Sequence, residues 1–362
     1  VRLAYSGFFF DSSGYGEMTR RYLFALLQTD GLDVTPGAIL ADGGWQIPPT
    51  ADLQIFGGLR RVGPPDVHAL CVTGADLAGI QIQEIPPWIP RVGLMCWETD
   101  RLHPTTLAGC QSVKRVIVPS QHNAAVFERA GLKAEVVPIP VEVPRFIDEL
   151  PLQGIDDVGE ETYIFYSLLT WQDRKNPFGL IAAFCQAFTD RDDVMLVLKV
   201  SGPDADKAVA QAAGSANAVV QAMGLSDAPT IRVIGGRMSP AHLWALHQRG
   251  QCYVSLAKGE AYGIPMLDAA AVGNHVISTG YGGQLDFLPP ANSSFVRYRM
   301  TPVMQRYSHF NGRMLWAEPD VLHAAELMHA AFMRGRQPKI IPDLTHLLPY
   351  NIGTKLAEAL AV

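Results

Sequence analysis

The chain has 362 residues, enough for two domains of ordinary size, each with its own core. Hydrophobic residues make up 48% and charged residues 18%, which excludes a disordered chain, and the net charge of -6 argues against nucleic acid as a partner. No apolar run reaches the ~20 residues that a bilayer span needs.

In chain order, the opening "VRLAYSGFFFDSSG" carries one arginine and a short apolar stretch, a poor match to a signal peptide. Strands are predicted at 2–6, 53–56, 69–73, 91–97 and 115–119. After the Pro-rich and acidic stretch "PIPVEVPRFIDELPLQGIDDVGEE" a second series is predicted at 163–169, 194–200, 231–235, 252–256 and 275–278. Helical patterns separate the runs, as parallel sheets with crossover helices require. The Pro-rich stretch is the linker candidate, which puts a boundary near 150–160. Helix punctuation is readable in the second half. Asn176 and Ser239 suit N-caps, Pro177 and Pro240 first helical positions, and Gly250 a helix end. In "WAEPDVLHAAELMHAAFMRG" the spacing of Leu322, Ala325 and Leu327–Met328 predicts a packing helix. Five cysteines (Cys71, Cys96, Cys110, Cys185, Cys252) show no CxxC spacing and read as reduced core residues of a cytosolic protein.

Three places carry potential chemistry. "SGFFFDSSGYGEMTRRYLFALL" leads from a strand through Gly14 and Gly16 into a helix, where glycines and a helix start suit a phosphate. Thr19 stands where the dinucleotide fingerprint needs a third glycine, so a ligand loop and a tight turn both stay open. Next, Arg174 and Lys175 follow a strand and precede a capped helix. Two cations at a strand's carboxyl end suit a diphosphate, and a solvated basic pair is the plainer reading. The third is "KGEAYGIPMLDAAAVGNHVIS". Here Glu260 and Asp268 flank a helix start at Pro265, and the amides near Tyr262, Gly263 and Ile264 would point at an anion. Two carboxylates beside an anion fit one ligand with hydroxyls at both ends and charge in the middle. The "TDRDD" run at 189–193 contains a DxD between a helix and a strand, which reads as a solvated turn.

On these segments the chain resembles the retaining nucleotide-sugar glycosyltransferases of family four. "GYGEMTRRYLFALL" is similar to that family's first glycine loop and helix, and "VIVPSQHNAAVFERAGLKAEVVPIPVEV" to the end of its first domain. "LLTWQDRKNPFGLIAAFCQAF" is similar to its diphosphate-binding segment, and "VSLAKGEAYGIPMLDAAAVGNHVISTGYGGQLDFL" to its donor site. The resemblance implies an α/β chain of GT-B fold, two Rossmann-like parallel-sheet domains facing each other across a cleft. It implies an acceptor-side domain over 1–150, rejoined by a C-terminal helix at 347–362, and a donor domain over 160–346. Catalytic roles fall to Glu260, Lys175 and Arg174, and donor binding to Gly14, Gly16, Tyr262, Gly263, Ile264 and Asp268. Asp268 stands where the family usually has a ribose-binding glutamate, and Leu169 where many members have an arginine. Where many relatives carry a histidine, this chain reads "CWETDRLHP", which makes Trp97, Glu98 and Asp100 a variant acceptor-side surface, with His103 a loop residue.

The resemblance thus implies transfer of a hexose from a UDP- or GDP-linked sugar to an acceptor hydroxyl, with retained configuration and no metal or cofactor. The acceptor is a glycan, a lipid-linked molecule or a small molecule, in glycan or glycoconjugate biosynthesis. A cytoplasmic place is expected, with peripheral contact at the inner face of a membrane left open and the oligomeric state undetermined. The rivals are a degenerate nucleotide-sugar binder and an NAD-dependent oxidoreductase, against which the missing third glycine counts.

Overall fold

The structure, a computed structural model, describes residues 1–39, 63–77, 79–80, 85–142, 150–152, 154–202, 204–236, 238–304, 307 and 309–361. The strand expected at 53–56 lies outside the described residues. The chain divides into two compact units. One comprises 1–142, 302–315 and 343–362, and the other 143–301 and 316–342.

The first unit opens with β1 (Arg2–Gly7), α1 (Gly14–Leu27), β2 (Asp33–Ala38), β3 (Val67–Cys71) and β4 (Arg91–Leu94). It continues with α2 (Pro104–Gln111), β5 (Arg115–Val118), α3 (Gln121–Arg129) and β6 (Ala134–Val136). Its sheet runs β2-β1-β3-β4-β5-β6, with every pairing parallel. Strand β2 escaped the sequence reading because Pro36 and Gly37 interrupt it. As an edge strand it tolerates a proline that a central strand would not.

The second unit contains β7 (Tyr163–Thr170), α4 (Pro177–Ala187), β8 (Val194–Ser201), α5 (Ala205–Ala222), β9 (Thr230–Ile234), α6 (Pro240–Arg249) and β10 (Cys252–Ser255). After these come α7 (Ile264–Ala271), β11 (His275–Thr279), β12 (Ser293–Val296), the two-stranded ribbon of β13 (Tyr298–Pro302) and β14 (Leu315–Pro319), and α8 (Val321–Met333). Its main sheet runs β12-β11-β10-β7-β8-β9, again parallel throughout. Strand order therefore reverses between β7 and β10. In an open parallel sheet that reversal leaves a crevice beyond the strands' carboxyl ends, where ligands bind.

One face of this sheet carries the main core. Phe165, Leu196, Leu198 and Val254 pack against Leu180 and Phe184 of α4, its C-cap Phe188, and Ala324, Ala325 and Met328 of α8. Each buried phenylalanine contributes about 2–3 kcal/mol. The α8 stripe corrects the sequence reading: Leu322 is 61% exposed, and the inward residues are Ala324, Ala325, Met328 and Ala331. Their small side chains suit the close packing of α8 on α4, so volume and not hydrophobicity alone picks the inward face. The other face holds a polar network, in which the Tyr166 hydroxyl meets His247 Nδ1 at 2.7 Å and accepts from Asn274 Nδ2 at 2.7 Å.

The last helix, α9 (Pro349–Leu360), belongs to the first unit and packs on α1. Gly353 allows the approach, since a Cβ there would stand 2.3 Å from the Ala25 carbonyl oxygen. None of the five cysteines forms a disulfide; four are buried and Cys96 is partly so. Among the described residues no helix is long and apolar enough to cross a membrane, and no group of three His, Cys, Asp or Glu side chains is placed to hold a metal.

Candidate active site

The two strands at the reversal are paired at the start of β10, Cys252 with Phe165 and Tyr253 with Tyr166. Beyond that the Tyr253 hydroxyl stands in for the ladder. It accepts from the Leu168 backbone N–H and donates to the Leu168 carbonyl, at 3.3 Å each. The chain then leaves β7 through a short 3-10 turn, Asp173–Lys175, and leaves β10 through the loop that contains Lys258, Gly259 and Glu260.

These two connections interlock by exchange of charge. Lys175 Nζ donates to Glu260 Oε1 at 2.5 Å, and Arg174 Nη1 lies 3.5 Å from Glu260 Oε2 while donating to the Gly259 carbonyl at 2.6 Å. In the opposite sense Lys258 Nζ meets Asp173 Oδ1 at 2.9 Å and Glu318 Oε2 at 3.0 Å, beneath the Trp316 ring. The Lys258 amide also donates to the Arg174 carbonyl at 2.7 Å. Glu260 is 8% exposed. Burial alone would raise its carboxyl, but the Lys175 ammonium and Arg174 guanidinium overcome that and hold it below the ordinary glutamate value. The structure thus brings Glu260, Lys175 and Arg174 into one cluster at the strand reversal. Lys258, Asp173 and Glu318 complete it. The sequence reading passed over these three, although Lys258 opens the same "KGEAYG" loop.

Directly after Glu260 comes the start of α7. Gly263 is its N-cap with φ +97, a conformation that favours glycine, and no side chain caps the helix. Helix α7 begins at Ile264, so Pro265 takes the second helical position, one later than expected. The Gly263 and Ile264 N–H groups donate to no acceptor among the described residues, leaving the positive end of the helix open. Gly282 packs on the Glu260 backbone: a Cβ there would stand 2.7 Å from the Glu260 carbonyl oxygen, and the Gly283 N–H donates to that oxygen at 2.9 Å. The Tyr262 side chain is buried against Phe287, so only its backbone belongs to this surface. Asp268, half-buried in the second turn of α7, joins Glu260 in raising the buried Tyr253 phenol, though desolvation is the larger cause.

The first-unit candidates separate into two kinds. Gly16 serves packing: a Cβ there would stand 1.9 Å from the Asp11 carbonyl oxygen, and its N–H is capped by Ser13. A Cβ on exposed Gly14 would meet nothing within 4 Å, so sterics do not require that glycine. Tyr15 latches α1 to the segment after β4, its hydroxyl donating to the Cys96 carbonyl at 3.1 Å and accepting from the Cys96 N–H at 3.0 Å. Trp97 is 4% exposed. Its indole N–H donates to the Arg101 carbonyl at 2.7 Å and to Thr99 Oγ1 at 2.9 Å, and its ring packs edge-on against Phe310. Its side chain therefore lies in the packing, and of the Trp97, Glu98 and Asp100 trio only the two acids are partly exposed. Asp100 Oδ1 accepts from the Leu315 N–H at 2.6 Å. His103 caps α2 through Nδ1, and the "TDRDD" run is a turn in which Asp192 accepts from the Thr189 N–H.

No family model matches the chain, and no curated protein matches it in sequence. Solved structures do match. HepE from Anabaena, crystallised with UDP and glucose, aligns with a TM-score of 0.62 at 12% identity, covering 99% of each chain. A UDP-forming alpha,alpha-trehalose-phosphate synthase from Burkholderia vietnamiensis gives 0.64 at 11% identity over 100% of both chains. Sucrose-phosphate synthase from Thermosynechococcus elongatus gives 0.61 at 15% identity, covering 99% of this chain and 94% of the other. With two units each built on a six-stranded parallel sheet and these full-length matches, the chain has the GT-B fold of the glycosyltransferases.

Proposed function

We propose that the chain is a retaining, metal-independent glycosyltransferase of family four, moving a hexose from a UDP- or GDP-linked sugar to an acceptor hydroxyl. The observation that carries this reading is the Lys175–Glu260–Arg174 cluster at the strand reversal, next to the uncapped start of α7. Cleavage of the sugar–phosphate bond puts negative charge on the departing diphosphate. Lys175, Arg174 and the α7 amides supply fixed positive charge for it. Glu260 orients the sugar through its hydroxyls, while its own charge keeps Lys175 and Arg174 in place. Asp268 holds the ribose hydroxyls, and Gly14 at the α1 start is a proposed donor-binding position of the first unit. In the first unit Glu98 and Asp100 face the acceptor, with Trp97 as their support.

The neighbour HepE was crystallised with UDP and glucose, a donor nucleotide and a hexose of the kind proposed here. The test is a thermal-shift screen of UDP- and GDP-linked sugars, followed by mass spectrometry of products formed with alcohol and glycan acceptors. A stabilising donor that also yields a glycosylated product is the expected outcome. A stabilising donor that is never cleaved would favour the degenerate binder.

A further inference from the structure

Two lysines of the second unit are buried, and their surroundings differ. Lys258 holds two carboxylates. Lys199, on β8 and 8% exposed, donates from Nζ to Ser201 Oγ at 2.6 Å and pairs with no carboxylate among the described residues. Its strand neighbours Val197, Leu198 and Val200 are fully buried apolar residues, which would be the cheaper choice at this position. Taking an ammonium out of water without a counter-charge is costly, so such a group is shifted towards neutrality or matched by an anion. Burial pushes Lys199 down to about 8, which still leaves it mostly protonated at neutral pH. One neutral hydroxyl is thin compensation for that charge.

Its place in the sheet is near the carboxyl ends of the strands. Lys199 is the register partner of Leu168 on β7, about 4.8 Å across the ladder. The backbone of Leu168 is in turn held by the Tyr253 hydroxyl, which lies in the fields of both Glu260 and Asp268. Lys199 therefore flanks the carboxyl edge that leads into Arg174 and Lys175. At that edge the three cations of the interlock are balanced by its three carboxylates, and Asp268 adds another negative charge nearby. Lys175, Arg174 and the α7 amides face a diphosphate arriving there, and a further positive charge that no protein carboxylate neutralises adds to theirs.

We propose that Lys199 is an anion-binding residue of the nucleotide site and that it takes a phosphate oxygen of the bound nucleoside diphosphate. This rests on the nucleotide-sugar reading above. It adds a residue that the sequence reading saw only as part of a strand.

The experiment compares wild type with Lys199→Met by calorimetry, using UDP, GDP, uridine, guanosine and inorganic pyrophosphate, and by ligand-free melting. The expected result is a loss of about tenfold in nucleoside diphosphate affinity, unchanged nucleoside affinity, and a ligand-free melting temperature equal to or above wild type. In the wild type, the Lys199 side-chain carbon resonance should move when UDP or GDP is added. Equal nucleoside diphosphate affinity in the two proteins, or an unmoved Lys199 resonance, overturns the inference and leaves the glycosyltransferase reading intact. If wild type binds no nucleotide and no sugar nucleotide, that reading fails, and pyrophosphate decides for Lys199. Pyrophosphate binding lost in Lys199→Met supports the anion site, and an equal response of both proteins overturns it.

Discussion

Lys175 Nζ and Glu260 Oε1, 85 residues apart in sequence, meet at 2.5 Å and tie the turn after β7 to the loop after β10. Both are largely buried, so the pair joins two connections at the point where ligands enter this kind of sheet. A double-mutant cycle with Lys175→Met and Glu260→Gln, followed by urea denaturation, is expected to give a coupling of about 1–3 kcal/mol. Additive losses would mean that the two side chains act independently.

The same pair sets a pH dependence. Glu260 is held below its ordinary value of 4.5, so the folded state binds its proton less readily than the unfolded chain does. The stability it contributes is complete above about pH 4.5 and is lost as pH falls through the lower folded value. The stability gap between wild type and Glu260→Gln should therefore narrow on acidification from pH 7 to about pH 3. A gap that stays constant over that range would show that the cations do not hold this carboxylate.

Gly14 and Gly16 predict opposite outcomes for one substitution. Gly16→Ala drives a methyl into the Asp11 carbonyl and should cost about 2–4 kcal/mol in thermal or urea unfolding. Gly14→Ala meets open space and should leave stability within about 0.5 kcal/mol. If the α1 start contacts the donor, Gly14→Ala lowers sugar-nucleotide affinity without touching the melting temperature.

Asp268 is testable through the ribose. Asp268→Ala should weaken UDP or GDP binding by about tenfold, while affinity for the matching 2′,3′-dideoxy nucleotide stays as in wild type. Equal losses for both ligands would place the contact elsewhere than on the ribose hydroxyls.

The parallel-sheet architecture was legible because the central strands, such as "YIFYSLL" and "VMLVLKV", are near-continuous apolar runs, buried over almost their whole length. Edge strands were harder. Pro36 and Gly37 hide β2, and β6 is only three residues long. Helix starts were legible where a capping side chain marks them, as at Asn176 and Ser239, each of which accepts from the amide three residues on. At α7 the cap is a glycine, and the boundary moved by one residue. The candidate cluster was half legible. Glu260, Lys175 and Arg174 stand in readable motifs, whereas Lys258, Asp173 and Glu318 matter through ion pairs between residues far apart in the chain, which no local pattern reveals. Lys199 had a signal of its own, a lysine inside an otherwise apolar central strand. Trp97 beside two acids reads as an exposed surface until its indole partners are seen.

The most direct test of the proposed chemistry is the rate of nucleoside diphosphate release from the stabilising UDP- or GDP-linked sugar, at saturating donor, by wild type and by Lys175→Ala. The expected result is release by wild type and a fall of about a hundredfold or more in the variant, with its fold intact by circular dichroism. Undiminished release by Lys175→Ala would contradict the assignment of this cluster as the donor site.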